Sequence, residues 1–169
     1  MTRVLYVCTA NIARSAYAEV ITAGGGFEDL EVSSAGTHGW VDHPMYEHMA
    51  DQLSRRGVDP TGFRSRRLTP GMVDEADLVL TMSAAHRSFV LQERPGAVSR
   101  TFTLGQLAGA LDTVSRDLRG LEAVGAARRL SATASPADDV EDPYGRGPAA
   151  AATAADRLDA LLDRILLRL

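Results

Sequence analysis

The first fifteen residues place a strand, a loop and a helix in immediate succession. Residues 3–8, with the sequence RVLYVC, are apolar and β-branched and predict a buried strand. A loop follows, and the sequence over about 14–24 is typical of a helix. Backbone N–H groups in such a loop, and in the first turn of the helix behind it, point inward without partners. This succession therefore predicts an anion site at the end of the first strand.

The residues at the two ends of this loop favour a chemical role for it. Cys8, the only cysteine, begins the loop, where inward N–H groups and the helix dipole favour its thiolate form. Arg14 ends the loop, and its planar guanidinium matches two oxygens of a tetrahedral oxyanion. Asn11 tolerates left-handed backbone, and the Ser15 hydroxyl is placed to donate to a thiolate. A lone cysteine at a strand end is often only a small core residue, but these four residues together favour phosphoryl transfer to sulfur.

Strand and helix signals alternate along the rest of the chain. Further strands are predicted at about 31–36, 76–82 and 99–104, and helices at about 44–56, 83–94 and 148–169. Such alternation predicts an α/β fold, with a parallel sheet covered on both sides and right-handed crossovers. Ligands of such sheets bind at the carboxyl ends of the strands, which is where Cys8 falls.

Residues 105–139 carry a different pattern. Apolar residues recur at helical spacing and predict one amphipathic helix packed on the sheet; they are Leu107, Leu111, Val114, Leu118, Leu121 and Val124. A loop of small residues follows at 131–136, and then an acidic run at 138–142.

Composition narrows the class of protein. The chain of 169 residues is 45% hydrophobic and 24% charged, which suits a single globular domain over 1–169. A net charge of −4 argues against broad binding to nucleic acid. One cysteine permits no internal disulfide, and no apolar stretch resembles a signal peptide or a membrane span, so we expect a cytoplasmic protein. The histidines lack zinc-site spacing, so we predict no metal and place them at the surface; they are His38, His43, His48 and His86.

Four segments resemble the low-molecular-weight protein tyrosine phosphatases. The sequence VCTANIARS at 7–15 resembles the phosphate-binding loop of that family, usually V-C-x-G-N-I-C-R-S, and three further matches follow in the family's order: SAGTHGW at 34–40, FRSRR at 63–67 and EDPYG at 141–145. The resemblance covers about residues 1–111 and 140–169. It implies a single-domain three-layer sandwich, whose central four-stranded parallel sheet has strand order 2-1-3-4 and helices on both faces. The segment at about 112–139 is longer than the family usually has, and we favour a surface insertion over a lid or a partner surface.

The resemblance also implies a reaction and a set of site residues. The family hydrolyses phosphotyrosine in proteins through a cysteinyl-phosphate intermediate, which would make Cys8 the nucleophile, Arg14 the phosphate clamp and Asp142 the general acid. The remaining matches give the phosphate-binding loop (Thr9, Ala10, Asn11, Ile12, Ala13, Arg14 and Ser15), its supports (Asn11, Ser15 and Ser34) and a substrate wall (Ile12, Trp40 and Tyr144). No cofactor is implied. The implied partner is a phosphotyrosine protein, including a bacterial tyrosine kinase, with no role for nucleic acid or membrane and with the oligomeric state left open.

Two departures from the family pattern bear on the loop. Ala10 replaces a glycine, and alanine would cost about 1 kcal/mol if that position needed positive φ. Phe63 stands where the family commonly has a histidine that helps hold Asn11 and Ser34. Arg66, close by, is predicted to form a structural ion pair.

Two other functions compete with phosphotyrosine hydrolysis. An arsenate reductase of the same scaffold would also attack an oxyanion through Cys8, but with a single cysteine it would need a small external thiol. A catalytically silent module that binds phosphotyrosine or another oxyanion is compatible with Ala10 and Phe63. Retention of Cys8, Arg14 and Asp142 favours an enzyme, because binding alone requires neither a thiolate nor an acid.

Overall fold

Four short parallel strands form the centre of the computed structural model, which describes all 169 residues. They are β1 (Thr2–Cys8), β2 (Leu30–Gly36), β3 (Leu78–Thr81) and β4 (Thr101–Thr103), and their order in the sheet is β2-β1-β3-β4. In the register of the sheet, Cys8 lies opposite Gly36 and Val7 opposite Thr81. The predicted sheet is confirmed, with β3 and β4 shorter than the sequence indicated.

Helices cover both faces of this sheet. They are α1 (Arg14–Gly24), α2 (Glu47–Arg55), α3 (Pro70–Glu75), α4 (Ala84–Glu93), α5 (Leu104–Leu111), α6 (Gly120–Leu130) and α7 (Gly147–Leu166), with single 3-10 turns at Pro95–Ala97 and Pro136–Asp138. None of these helices combines the length and the apolarity that a membrane crossing requires.

Alternate residues of β1 supply two separate hydrophobic cores. Val4, Tyr6 and Cys8 face the larger core, which α1, α2, α5, α6 and α7 complete. Leu5 and Val7 face a smaller core, which includes residues of α3 and α4. Because a strand buried on both faces has little polar side chain to expose, β1 is almost continuously apolar. The sheet thereby holds Cys8 at a fixed depth between two packed layers.

The prediction of a single amphipathic helix after residue 105 is wrong. The structure has two helices there, α5 and α6, separated by turns at 112–119. The Arg168 guanidinium from the chain's end donates to the carbonyls of Leu111, Ser115 and Leu118, and so satisfies backbone groups that a continuous helix would have paired internally. Gly120 then resumes the helix with φ +56. Tertiary contacts have overridden the periodic pattern, although Leu107, Leu111, Val114 and Val124 are buried as predicted.

Two other helices differ from prediction. The helix expected at about 44–56 spans only Glu47–Arg55, although Met45 before it is buried. The short α3 was not predicted at all. Its signal was present, since the Thr69 side chain accepts a hydrogen bond from the Met72 N–H and Pro70 occupies the first turn.

Candidate active site

The predicted loop joins the last residue of β1 to the first residue of α1. Cys8 ends the strand and Arg14 begins the helix, and their relative exposures are only 2% and 6%. Asn11, midway along the loop, is fully buried and has φ 59, so the left-handed conformation expected for the loop falls on this residue. The concern over Ala10 does not apply, because Ala10 has no positive φ.

Nearly every carbonyl of the loop is bonded to the surrounding chain. Cys8 O accepts from Thr37 N at 2.9 Å, Thr9 O from His38 N at 2.9 Å and Ala10 O from Trp40 N at 3.2 Å. Ile12 O and Ala13 O accept from Tyr46 N and Tyr17 N, at 2.7 and 2.9 Å.

By contrast, the backbone N–H groups of residues 9–13 donate to no protein acceptor. A loop whose carbonyls are bonded to the surrounding chain, and whose N–H groups have no protein acceptor, is the backbone arrangement that binds anions. The anion site stays a prediction, which this arrangement supports.

A chain of side chains supports the thiol inside this loop. The Cys8 Sγ lies 2.9 Å from the Ser15 Oγ, and Asn11 Nδ2 donates to Ser15 Oγ at 2.9 Å and to Ser34 Oγ at 2.7 Å. All four residues are buried. Because Ser15 Oγ already accepts from Asn11, its own hydrogen is free to point at the sulfur, where it stabilises a thiolate. The structure thus brings together the three predicted support residues, Asn11, Ser15 and Ser34.

Glu19 completes this network in a way that the sequence did not reveal. The Ser34 hydroxyl donates to Glu19 Oε2 at 2.5 Å, and the Glu19 carboxylate is 3.3 Å from the Arg66 guanidinium. The Arg66 backbone N–H also donates to Asn11 Oδ1 at 2.7 Å. Phe63 is 7% exposed and packs in the larger core, so the loop is held without a histidine at that position. The structural ion pair predicted for Arg66 is the one with Glu19.

Arg14 and Asp142 meet directly at the mouth of the loop. Arg14 Nη2 donates to Asp142 Oδ2 at 2.6 Å, and Nη1 donates to Val140 O at 3.0 Å. The third nitrogen, Nε, is buried without a protein partner. The Asp142 side chain is 48% exposed, and its other oxygen accepts from Tyr144 N at 3.1 Å. The guanidinium therefore retains donor capacity for an oxyanion, while an acid stands beside it in contact with solvent.

The other acidic residues near Asp142 each have a partner elsewhere. Asp138 accepts from the backbone N–H of Ser135, Asp139 accepts from that of Ala84, and Glu141 pairs with Arg146 at 3.0 Å. The contacts of these acidic residues thus hold in place the segment that carries Asp142. Among these acids, only Asp142 contacts Arg14.

The predicted substrate wall forms part of an aromatic cluster beside the loop. The Trp40 and Tyr144 rings meet edge to face with centroids 5.9 Å apart, and Tyr46, which was not predicted, lies 5.1 Å from Tyr144. Trp40 and Tyr144 are 44% and 49% exposed, whereas Ile12 is buried beneath the loop's surface at 5%. Because the rings of Trp40 and Tyr144 touch each other, they form one continuous wall and not two faces across a gap.

The surface position predicted for all four histidines is wrong for His86. This residue is 7% exposed, with Nε2 2.8 Å from Thr9 Oγ1 and Nδ1 2.9 Å from Ser83 Oγ. Burial, with the nearby Arg14 guanidinium, lowers the pKa of His86 from 6.5 to about 4. The structure brings no three His, Cys, Asp or Glu side chains together as a metal site would require.

The low pKa of His86 predicts a pH dependence of stability. Between pH 6.5 and about 4 the unfolded chain binds a proton at this residue that the folded chain does not. The free energy of unfolding should therefore fall as pH is lowered through that window, and His86 should contribute no slope above it. Urea unfolding of the wild type and of His86→Gln at several pH values measures this contribution, which the variant should lack. Equal slopes in the two proteins would contradict it.

Gly36 packs so closely against the loop that its backbone leaves no room for a side chain. A Cβ at this position would lie 2.4 Å from Thr9 O and 2.9 Å from Ala10 C, which are both backbone atoms. We expect Gly36→Ala to cost about 2 kcal/mol of unfolding free energy and to weaken phosphate binding, since the loop must shift. Thermal unfolding and phosphate titration test this. Gly62→Ala is the matched control, because nothing lies within 4 Å of that position, and an equal effect of both changes would contradict the role given to Gly36.

Comparison with known proteins agrees with this geometry. Residues 3–120 match the sequence model of the family described as low molecular weight phosphotyrosine protein phosphatase. The chain belongs to this family, which is a family of hydrolases.

Individual relatives differ in the substrates that their names give. A protein-arginine-phosphatase from Geobacillus stearothermophilus is 29% identical over 168 residues, covering 99% of this chain and 95% of that protein. The low molecular weight protein-tyrosine-phosphatase Etp from Escherichia coli K12 is 36% identical over 103 residues, covering 61% and 69%. Among solved structures, the low molecular weight protein tyrosine phosphatase from T. tengcongensis has a TM-score of 0.78 and 28% identity, with both chains covered completely.

Proposed function

We propose that this protein hydrolyses phosphotyrosine in proteins through a cysteinyl phosphate on Cys8. The observation that carries the proposal is the loop of outward-bonded carbonyls and free N–H groups around a buried thiol, with Arg14 at its end. This arrangement stabilises the negative charge of a phosphoryl group during transfer to sulfur. A module that only binds phosphate needs neither the thiol nor an acid beside Arg14.

The first step in this proposal is attack of the Cys8 thiolate on phosphorus. The loop N–H groups and the Arg14 guanidinium bind the phosphoryl oxygens, and the Ser15 hydroxyl holds the sulfur. Asp142, protonated, gives its proton to the departing phenolate oxygen. Phosphate binding draws Arg14 onto the oxyanion, which frees the Asp142 carboxyl from its 2.6 Å contact with Arg14.

In the second step a water molecule hydrolyses the cysteinyl phosphate. Asp142, now ionised, accepts the proton of that water as it attacks phosphorus, and the sulfur leaves as thiolate. The exposed position of the Asp142 side chain gives this water access. The same residue thus serves as acid and then as base.

The aromatic cluster supports an aryl substrate. Trp40, Tyr46 and Tyr144 offer flat apolar surface beside the loop, and a phosphotyrosine ring can pack on it while its phosphate reaches Cys8. A phosphoserine side chain is shorter and gains no such packing. The proposed substrate is accordingly a tyrosine-phosphorylated protein, including a bacterial tyrosine kinase.

Phosphoarginine in proteins is a second candidate substrate. It is favoured by the relative named as a protein-arginine-phosphatase, whose similarity extends over 99% of this chain. A guanidinium can also stack on an aromatic face, and Asp142 would protonate its nitrogen in place of the phenolate oxygen.

Matched peptides distinguish these substrates. One sequence carrying phosphotyrosine, phosphoarginine or phosphoserine is assayed for phosphate release, with EDTA present throughout. We expect the largest kcat/KM for phosphotyrosine, and little activity on phosphoserine. A larger kcat/KM for phosphoarginine would assign the enzyme to that substrate, and no release from any peptide despite phosphate binding would support a silent binding module.

A further inference from the structure

The first turn of α4 lies against the loop that carries Cys8. His86, the third residue of this helix, is 7% exposed and has both ring nitrogens occupied. Nε2 lies 2.8 Å from the hydroxyl of Thr9, the residue after Cys8, and Nδ1 lies 2.9 Å from the hydroxyl of Ser83, the N-cap of the helix. The backbone N–H of His86 also donates to Ser83 Oγ. The imidazole is thus a bridge of fixed length between the helix cap and the loop.

The same turn also holds the segment that carries Asp142. Asp139 Oδ1 accepts from the Ala84 N–H at 2.8 Å, and Val140 N donates to Met82 O at 2.9 Å. The carbonyl of Val140 in turn accepts from Arg14 at 3.0 Å. Residues 82–86 therefore contact both sides of the site: the loop through His86, and the acid segment through Asp139 and Val140.

The chemistry of this bridge suits a neutral ring. A neutral imidazole has one N–H donor and one acceptor nitrogen, and hydroxyl groups can serve both. The charged groups around the ring are Arg14, Asp142 and His38; burial and Arg14, followed by His38, oppose a positive charge on His86, and Asp142 alone favours it. A side chain that only filled space here would not need two polar contacts at a buried position.

We infer that His86 is a positioning residue. It fixes Thr9, and thereby the start of the phosphate-binding loop, relative to the segment that carries Asp142. The inference rests on the proposed function for its kinetic consequence. Its structural part is separate: the contact with the Thr9 hydroxyl holds the loop in its anion-binding form. The binding of inorganic phosphate measures this part.

A double-mutant cycle tests whether His86 acts through Thr9. His86→Leu and Thr9→Val are each expected to lower kcat/KM for p-nitrophenyl phosphate, and the affinity for inorganic phosphate, by about tenfold. The double variant should lose no more than the worse single variant, because each change removes the same contact. Losses that multiply in the double variant would overturn the inference.

Conservative variants separate positioning from packing. His86→Gln presents an amide N–H near the position of Nε2 and should recover most of the phosphate affinity lost in His86→Leu. Thr9→Ser keeps the hydroxyl and should recover most of the phosphate affinity lost in Thr9→Val. If glutamine is as defective as leucine while both variants remain folded by thermal unfolding, or if Thr9→Val binds phosphate like the wild type, His86 only fills space and the inference fails.

The readouts also distinguish this inference from the proposed function. A wild type that binds phosphate but does not turn over substrate would remove the phosphatase proposal, and the phosphate-affinity cycle would still decide the role of His86. If His86→Leu does not fold, the Thr9 variants decide the role of His86. The phosphate affinity of Thr9→Val is then compared with that of Thr9→Ser, and each variant is measured alone and combined with His86→Gln.

Discussion

Replacing Cys8 with serine is expected to abolish turnover while leaving the anion site intact. The hydroxyl is close in size to the thiol and keeps the contact with Ser15, but it is not ionised near neutral pH and is a far weaker nucleophile. We expect kcat for p-nitrophenyl phosphate to fall by about four orders of magnitude or more. Steady-state hydrolysis with EDTA present measures this effect.

Phosphate binding is the control for the serine variant. The free N–H groups and Arg14 are unchanged in Cys8→Ser, and a hydroxyl takes the place of the thiol. Inorganic phosphate should therefore bind about as tightly as to the wild type in calorimetry. Turnover retained in this variant would remove Cys8 as the nucleophile, and loss of phosphate binding would show that the loop had changed shape.

The second large effect is expected for Asp142→Asn, and it should depend on the leaving group. Phenyl phosphate has a basic leaving group that needs a proton, so we expect its kcat/KM to fall by about a hundredfold or more. p-Nitrophenolate departs with little need of a proton, so we expect its ester to lose about tenfold or less in kcat/KM. The ratio of the two kcat/KM values, measured at one pH, is the informative quantity, because kcat/KM reports the step that releases the leaving group and not the hydrolysis of the intermediate that both esters share.

That ratio corrects for the ion pair that the change also alters. Asp142→Asn removes the carboxylate that faces Arg14 at 2.6 Å, and this affects both substrates alike because both present the same phosphate. An equal loss for the two esters would mean that Asp142 only positions Arg14. In that case another acid would have to protonate the leaving group.

The sequence was most informative where the site is contiguous. Cys8, Asn11, Arg14 and Ser15 lie within eight residues, so a strand, a loop and a helix start define their arrangement without knowledge of the rest of the fold. The left-handed Asn11 follows from the same local chemistry, since asparagine accepts that conformation more easily than alanine. The sheet order came from the family resemblance.

Contacts between distant segments were not predictable in this way. His86 meets Thr9 across 77 positions and Asp139 meets Ala84 across 55, and no periodicity relates such pairs. Glu19 had a weak local signal, because it lies one helical turn after Ser15 and so shares its side of α1. The break between α5 and α6 depends on Arg168, more than fifty residues from Leu111 and close to the end of the chain.

The central claim is that the phosphoryl group passes through the sulfur of Cys8. Asp142→Asn is the variant in which the cysteinyl phosphate should accumulate. With p-nitrophenyl phosphate the first step needs little acid, whereas hydrolysis of the intermediate lacks its base. The measurement is rapid quenching with this substrate, followed by mass spectrometry of the proteolytic peptides. We expect one phosphoryl group on the peptide that contains Cys8, in an amount equal to the burst of p-nitrophenol. A burst with no phosphorylated Cys8, or with phosphate on another residue, would contradict the account.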